Sequence, residues 1–91
     1  MLLENGDIVM AVEVKSKVAD KDVEEYVEKL ETLRDHYRRK DDRRKIQGAI
    51  AGAIFGESQK RAAIRAGLYV IVQSGDTMKI DVPEGFVPRE W

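Results

Sequence analysis

The sequence predicts an α/β domain, a mixed β-sheet flanked by helices in the order β-β-α-β-α-β-β. Three observations carry this. The apolar run at residues 8–12 follows the turn signal Asn5-Gly6 and reads as a buried strand. From Asp20 the period changes to that of a helix, with Val23, Tyr26, Val27, Leu30, Leu33 and Tyr37 on one stripe. A second apolar run follows at residues 46–55. A strand, a long helix and a strand in succession make a crossover, so the two strands are parallel and the connection right-handed.

Each element has a local reason. Residues 1–4 and 7–15 flank Asn5-Gly6, whose residue types tolerate the positive φ of a type I′ turn. With these two as its central residues, Glu4 pairs with Asp7 and Leu2 with Val9. Asp20 is the expected N-cap of the long helix. Asp22, Glu24 and Glu25 suit its positive end, and Arg38, Arg39 and Lys40 its negative end. Residues 38–45 form a charged connection. The strand at 46–55 contains Gly48 and Gly52, which mark close backbone approach or twist. A short helix at 57–66 ends before Gly67, a left-handed C-cap. Residues 68–73 are a second buried strand, Ser74-Gly75-Asp76 a turn and 78–82 a closing strand. The tail at 83–91 is irregular, with Phe86 and Trp91 as its packing residues.

Composition narrows the function classes. Ninety-one residues make one domain with one core. The chain has no cysteine, which removes disulfides and thiolate metal sites. Sixteen basic against seventeen acidic residues give no global signal for a polyanion partner. No apolar stretch approaches the roughly 20 residues of a membrane span and no signal-peptide layout is present, so a cytoplasmic domain without a membrane partner is expected.

Glu13-Val14-Lys15 is the candidate for chemistry. It ends the first buried strand, and alternation puts Glu13 and Lys15 on one face with Val14 on the other. A carboxylate is a hard ligand for a divalent cation, and a neighbouring ammonium can neutralise a phosphate or position a water. The same triplet also fits a strand that simply surfaces at its end.

The hairpin leading into AVEVKSK, the amphipathic helix, the strand KIQGAIAGAIF, the segment AIRAGLYVIVQSGDTMKI and the closing FVPREW together resemble the PD-(D/E)XK nuclease superfamily, more closely its small prokaryotic members. The resemblance spans nearly the whole chain, although only the triplet is tied to chemistry. It implies a restriction-endonuclease-like core and magnesium-dependent hydrolysis of phosphodiesters in DNA. It also implies that Glu13 is a catalytic metal ligand and that Lys15 orients or activates the attacking water. The family pattern needs a further Asp on the preceding strand. The position beside Glu13 on that strand is the one just before Met1, and the nearest residue on that face, Leu2, is apolar. Asp7 lies about 20 Å away along the strand. Residues 1–91 therefore look like a single nuclease-like domain lacking the first helix and strand and beginning just after the catalytic Asp.

Other residues carry weaker signals. Arg38, Arg39, Lys40, Arg43, Arg44 and Lys45 are candidates for binding DNA phosphates, although Asp41 and Asp42 interrupt them and such runs are commonly solvated. His36 has no second histidine or cysteine beside it to make a metal site. Tyr26, Tyr37 and Tyr69 fall on apolar stripes and suit the core. Two readings follow: a metal-dependent nuclease or its inactive remnant, and a non-catalytic, oligomerising interaction module. The apolar edge at residues 1–4 favours a homodimer by sheet extension, unless the tail covers Leu2 and Leu3.

Overall fold

The computed structural model describes residues 1–91, with β1 at Leu2–Asn5, β2 at Ile8–Lys17, α1 at Asp20–Arg39, β3 at Lys45–Ile54, α2 at Glu57–Arg65, β4 at Tyr69–Ser74 and β5 at Thr77–Ile80. The strands form one five-stranded sheet in sequence order. β2 runs parallel to β3 and β3 to β4, while β1 and β5 close the sheet as antiparallel edges. The mixed α/β architecture is the one the element order predicts.

Both helices lie on one face. The two crossovers step in the same direction across the sheet, and right-handed connections then put α1 and α2 on the same side. The core forms there: Val9 and Ala11 of β2, Ile46 and Ile50 of β3 and Val70 of β4 pack against Val23, Tyr26 and Leu30 of α1 and Ala63 of α2. Gly48 sets the closeness of α1. A Cβ at that position would stand 2.6 Å from Leu30 Cδ1 and 2.7 Å from Leu68 Cδ2. Leu30 is fully buried, so Leu30→Ala removes about 2–5 kcal/mol. The opposite face, carrying Met10, Val12, Tyr69, Ile71 and Ile80, has no helix over it and forms a hollow lined only by apolar residues.

The hairpin differs from its expected form. Asn5 pairs with Ile8, so Gly6 and Asp7 are the central residues of the turn. Of the two only Gly6 has positive φ, at 59°, the signature of type II′ and not of type I′. Leu2 consequently faces Ala11, not Val9. The β4–β5 hairpin repeats the device, with Ser74 paired to Thr77 and Gly75 at φ 60°. Asp20 is not the N-cap of α1 either. Ala19 holds that position in extended backbone, and Asp22 reaches back from the first turn to accept its N–H at 2.7 Å, one half of a capping box.

The tail returns to the sheet, but not to β1. Trp91 N–H donates to Ile46 O at 2.8 Å, and Ile46 N–H donates to Trp91 O at 3.1 Å. β4 begins pairing with β3 only at Ala49, and Trp91 takes the vacant place beside the earlier part of β3. Arg34 donates to the same Trp91 carbonyl, and the Arg89 guanidinium lies 4.5 Å over the Trp91 ring. Phe86 meets Tyr69 edge-on at 5.1 Å. Neither aromatic covers Leu2 or Leu3, which stay exposed. No helix is long and apolar enough to cross a membrane.

Candidate functional site

Glu13 and Lys15 stand on β2, an interior strand, opposite Ile50 and Gly52 of the parallel neighbour β3. They share the face that carries Val9 and Ala11, so both side chains rise toward α1 and not toward the open side of the sheet. Beyond Ala11 this face is partly open to solvent: the side chains of Glu13 and Lys15 are 27% and 35% exposed. Glu13 opens onto a hollow walled by Met1, Leu2, Tyr26, Lys29 and Leu33.

Two α1 residues join the triplet. Lys15 Nζ lies 3.9 Å from Glu13 Oε1 and 3.7 Å from Asp22 Oδ1, and Lys29 Nζ lies 3.5 Å from Glu13 Oε1. The four side chains alternate in sign along a chain from Asp22 through Lys15 and Glu13 to Lys29. The N–H of Ala19, ahead of the nearby Lys15 charge, holds the Asp22 carboxyl below the usual carboxylate range. Tyr26 closes the floor. Its hydroxyl donates to Ala11 O at 2.6 Å, and burial first, then the Glu13 charge, pushes its pKa up. Asp22 and Lys29 escape a reading of the triplet alone. The available signal is their spacing on α1, which brings both to one side of the helix after two turns.

The donor set does not complete a magnesium cage. No three His, Cys, Asp or Glu side chains come together anywhere in the chain. Glu13 is the one carboxylate opening onto its hollow and is bracketed by two ammonium groups, while Asp22 is occupied by Ala19 and Lys15. Magnesium needs near-octahedral oxygen ligation, commonly through one or two carboxylates with water and phosphate oxygens. Asp7 sits in the turn at the other end of β2. The β1–β2 ladder shows which position lies opposite Glu13. Met1 and Val12 exchange hydrogen bonds at 2.9 and 2.8 Å, so one further step along β1 faces Glu13.

The basic run lies elsewhere. Arg38 and Arg39 end α1, about 25 Å along the helix from Asp22. Arg44 is bound to Asp42 at 2.7 Å and Glu4 at 3.2 Å, Arg43 to Asp41 at 3.6 Å and Lys45 to Glu90 at 3.2 Å. Of the six basic residues in the run, Arg38, Arg39 and Lys40 make no ion pair. The side of α1 carrying Glu24 and Glu28 faces Ala62 and Arg65 of α2, whereas Asp22 and Lys29 face the triplet. His36 is exposed beside Tyr37, with ring centroids 6.1 Å apart. No protein-family model matches the chain, and no curated protein or solved structure matches it.

Proposed function

We propose that this chain carries the Glu-x-Lys half of a PD-(D/E)XK nuclease-like site for phosphodiester hydrolysis, and that its own residues leave the magnesium site incomplete. One observation supports the reading above the rest. Glu13 and Lys15 project side by side from the end of an interior parallel strand, and Glu13 opens onto a partly open hollow. Carboxyl ends of parallel strands are where open α/β sheets commonly bind ligands. In this reading Glu13 is the metal ligand and Lys15 orients the attacking water, with Asp22 fixing the ammonium from behind. A cytoplasmic setting and DNA as substrate belong to the same proposal.

The test compares two forms of the chain on supercoiled plasmid with magnesium. Residues 1–91 alone should cut little, and Glu13→Gln should change that little. A form extended by a strand residue Asp immediately before Met1 gains a carboxylate beside Glu13. It should nick the plasmid, and Lys15→Ala should abolish the activity. An extended form that neither cuts nor gains thermal stability with manganese overturns the proposal. Robust cutting by residues 1–91 alone, abolished by Glu13→Gln, would show instead that the site is already complete. The second reading, a non-catalytic oligomerising module, is supported by the uncovered apolar sheet face.

A further inference from the structure

The geometry points to a two-fold homodimer formed face to face through the uncovered side of the sheet, and not through its β1 edge. The inference is independent of the nuclease-like reading, because Glu13 and Lys15 lie on the helix side.

The face is built to be buried. Alternation brings Leu3 of β1, Met10 and Val12 of β2, Tyr69 and Ile71 of β4 and Ile80 of β5 onto it, around Ala49 of β3. No charged side chain lies among these residues. Interface centres are depleted of charge in the same way, whereas a solvated sheet face alternates toward polar residues. Leu3, Val14, Met78 and Ile80 remain 53%, 64%, 52% and 60% exposed. A contiguous apolar patch of this kind marks an interaction surface and not an ordinary solvated face.

Its relief suits a second copy. Ala49 and Ala51 make a low line down β3, and both are shielded by their neighbours despite having no layer above them. Larger side chains flank the line on either side, Met10 and Val12 from β2 and Tyr69 and Ile71 from β4, with Phe86 of the tail bracing the Tyr69 ring from its edge. A valley between two ridges is self-complementary under a two-fold rotation: the β4 ridge of each copy seats in the β3 valley of the other. Twisted sheets pack this way with strands about 30° apart.

The β1 edge is a separate route that experiment can isolate. Met1 and Val12 are a hydrogen-bonded pair, so Leu3 and Asn5 also point their backbone groups at β2, and Leu2 and Glu4 point theirs outward. Glu4→Pro therefore removes an outward N–H while leaving the apolar face intact. Ile80→Lys and Val14→Lys charge the face at positions open enough to leave folding unaffected.

Sedimentation velocity on residues 1–91 should show a dimer at about 50 μM. Ile80→Lys and Val14→Lys should each weaken self-association by at least ~100-fold with an unchanged circular dichroism spectrum. Glu4→Pro and Glu13→Gln should remain dimeric. A chain that stays monomeric across this range overturns the proposal and leaves the face to another partner. So does a dimer indifferent to both lysine variants, or one abolished by Glu4→Pro alone, which would assign the contact to the edge.

Discussion

Lys15 Nζ rests 3.7 Å from a carboxylate oxygen of Asp22, whose other oxygen accepts the N–H of Ala19. One side chain thus ends helix α1 and anchors the ammonium of the candidate site. Asparagine keeps the capping oxygen but loses the charge, whereas alanine loses both. Asp22→Ala should therefore lower Tm by on the order of 5 °C and Asp22→Asn by less. The folded-state pKa of Asp22 is depressed. Its stabilisation is thus present above the unfolded value near 3.9 and is lost as pH falls through the folded pKa. The Tm gap between the wild type and Asp22→Asn should be present at pH 7 and shrink below about pH 4. A gap that widens in acid would have the wrong sign.

Tyr26 predicts the opposite limb of the pH profile. Its hydroxyl is a buried donor to Ala11 O, and burial together with Glu13 raises its pKa. A folded pKa above the unfolded one means stability that is complete below about pH 10 and lost as pH rises further. Tyr26→Phe should cost about 1 kcal/mol at neutral pH through the lost hydrogen bond. It should also show a shallower loss of stability above pH 10 than the wild type, measured by urea titration at several pH values.

Gly67 holds the tail in place. It has φ 83°, and a Cβ there would stand 2.5 Å from Arg89 Cβ and 2.8 Å from Arg89 N. Gly67→Ala combines left-handed strain of about 1–2 kcal/mol with a backbone clash that no rotamer change relieves. The segment carrying Arg89 must shift, and Trp91, the chain's single tryptophan, moves with it. Emission should shift to the red and Tm should fall. Unchanged fluorescence would mean that the tail is held by Ile46 and Arg34 without help from Gly67.

The elements were legible wherever pattern and period coincide. The apolar run into Val12 specified an interior strand, and the stripe through Val23, Tyr26 and Leu30 specified α1. The hairpin register was less accessible, because Asn5-Gly6 and Gly6-Asp7 both place glycine where φ is positive, and only strand pairing chooses between them. Non-local joints were out of reach. The sequence names Trp91 as a packing residue but not its partner Ile46, forty-five positions earlier. For the candidate site, alternation alone put Glu13 and Lys15 on a common face. The link to Asp22 needed the angle at which α1 crosses β2, which residue order does not encode locally.

The basic run yields a quantitative expectation for DNA. Arg43, Arg44 and Lys45 are committed to acidic neighbours, leaving Arg38, Arg39 and Lys40 to release counterions from a duplex. At about 0.9 per neutralised phosphate, any binding through this end should show a log–log salt slope near −3 and not near the −5 expected of all six cations. About 25 Å of α1 separates these three residues from Asp22, which holds Lys15. Replacing Arg38, Arg39 and Lys40 with glutamine should therefore remove this binding, while Lys15→Ala leaves it unchanged. Fluorescence anisotropy of a labelled duplex across salt concentrations measures the slope directly. A value near −5, or a loss on Lys15→Ala, would join the two ends of the molecule into one DNA surface.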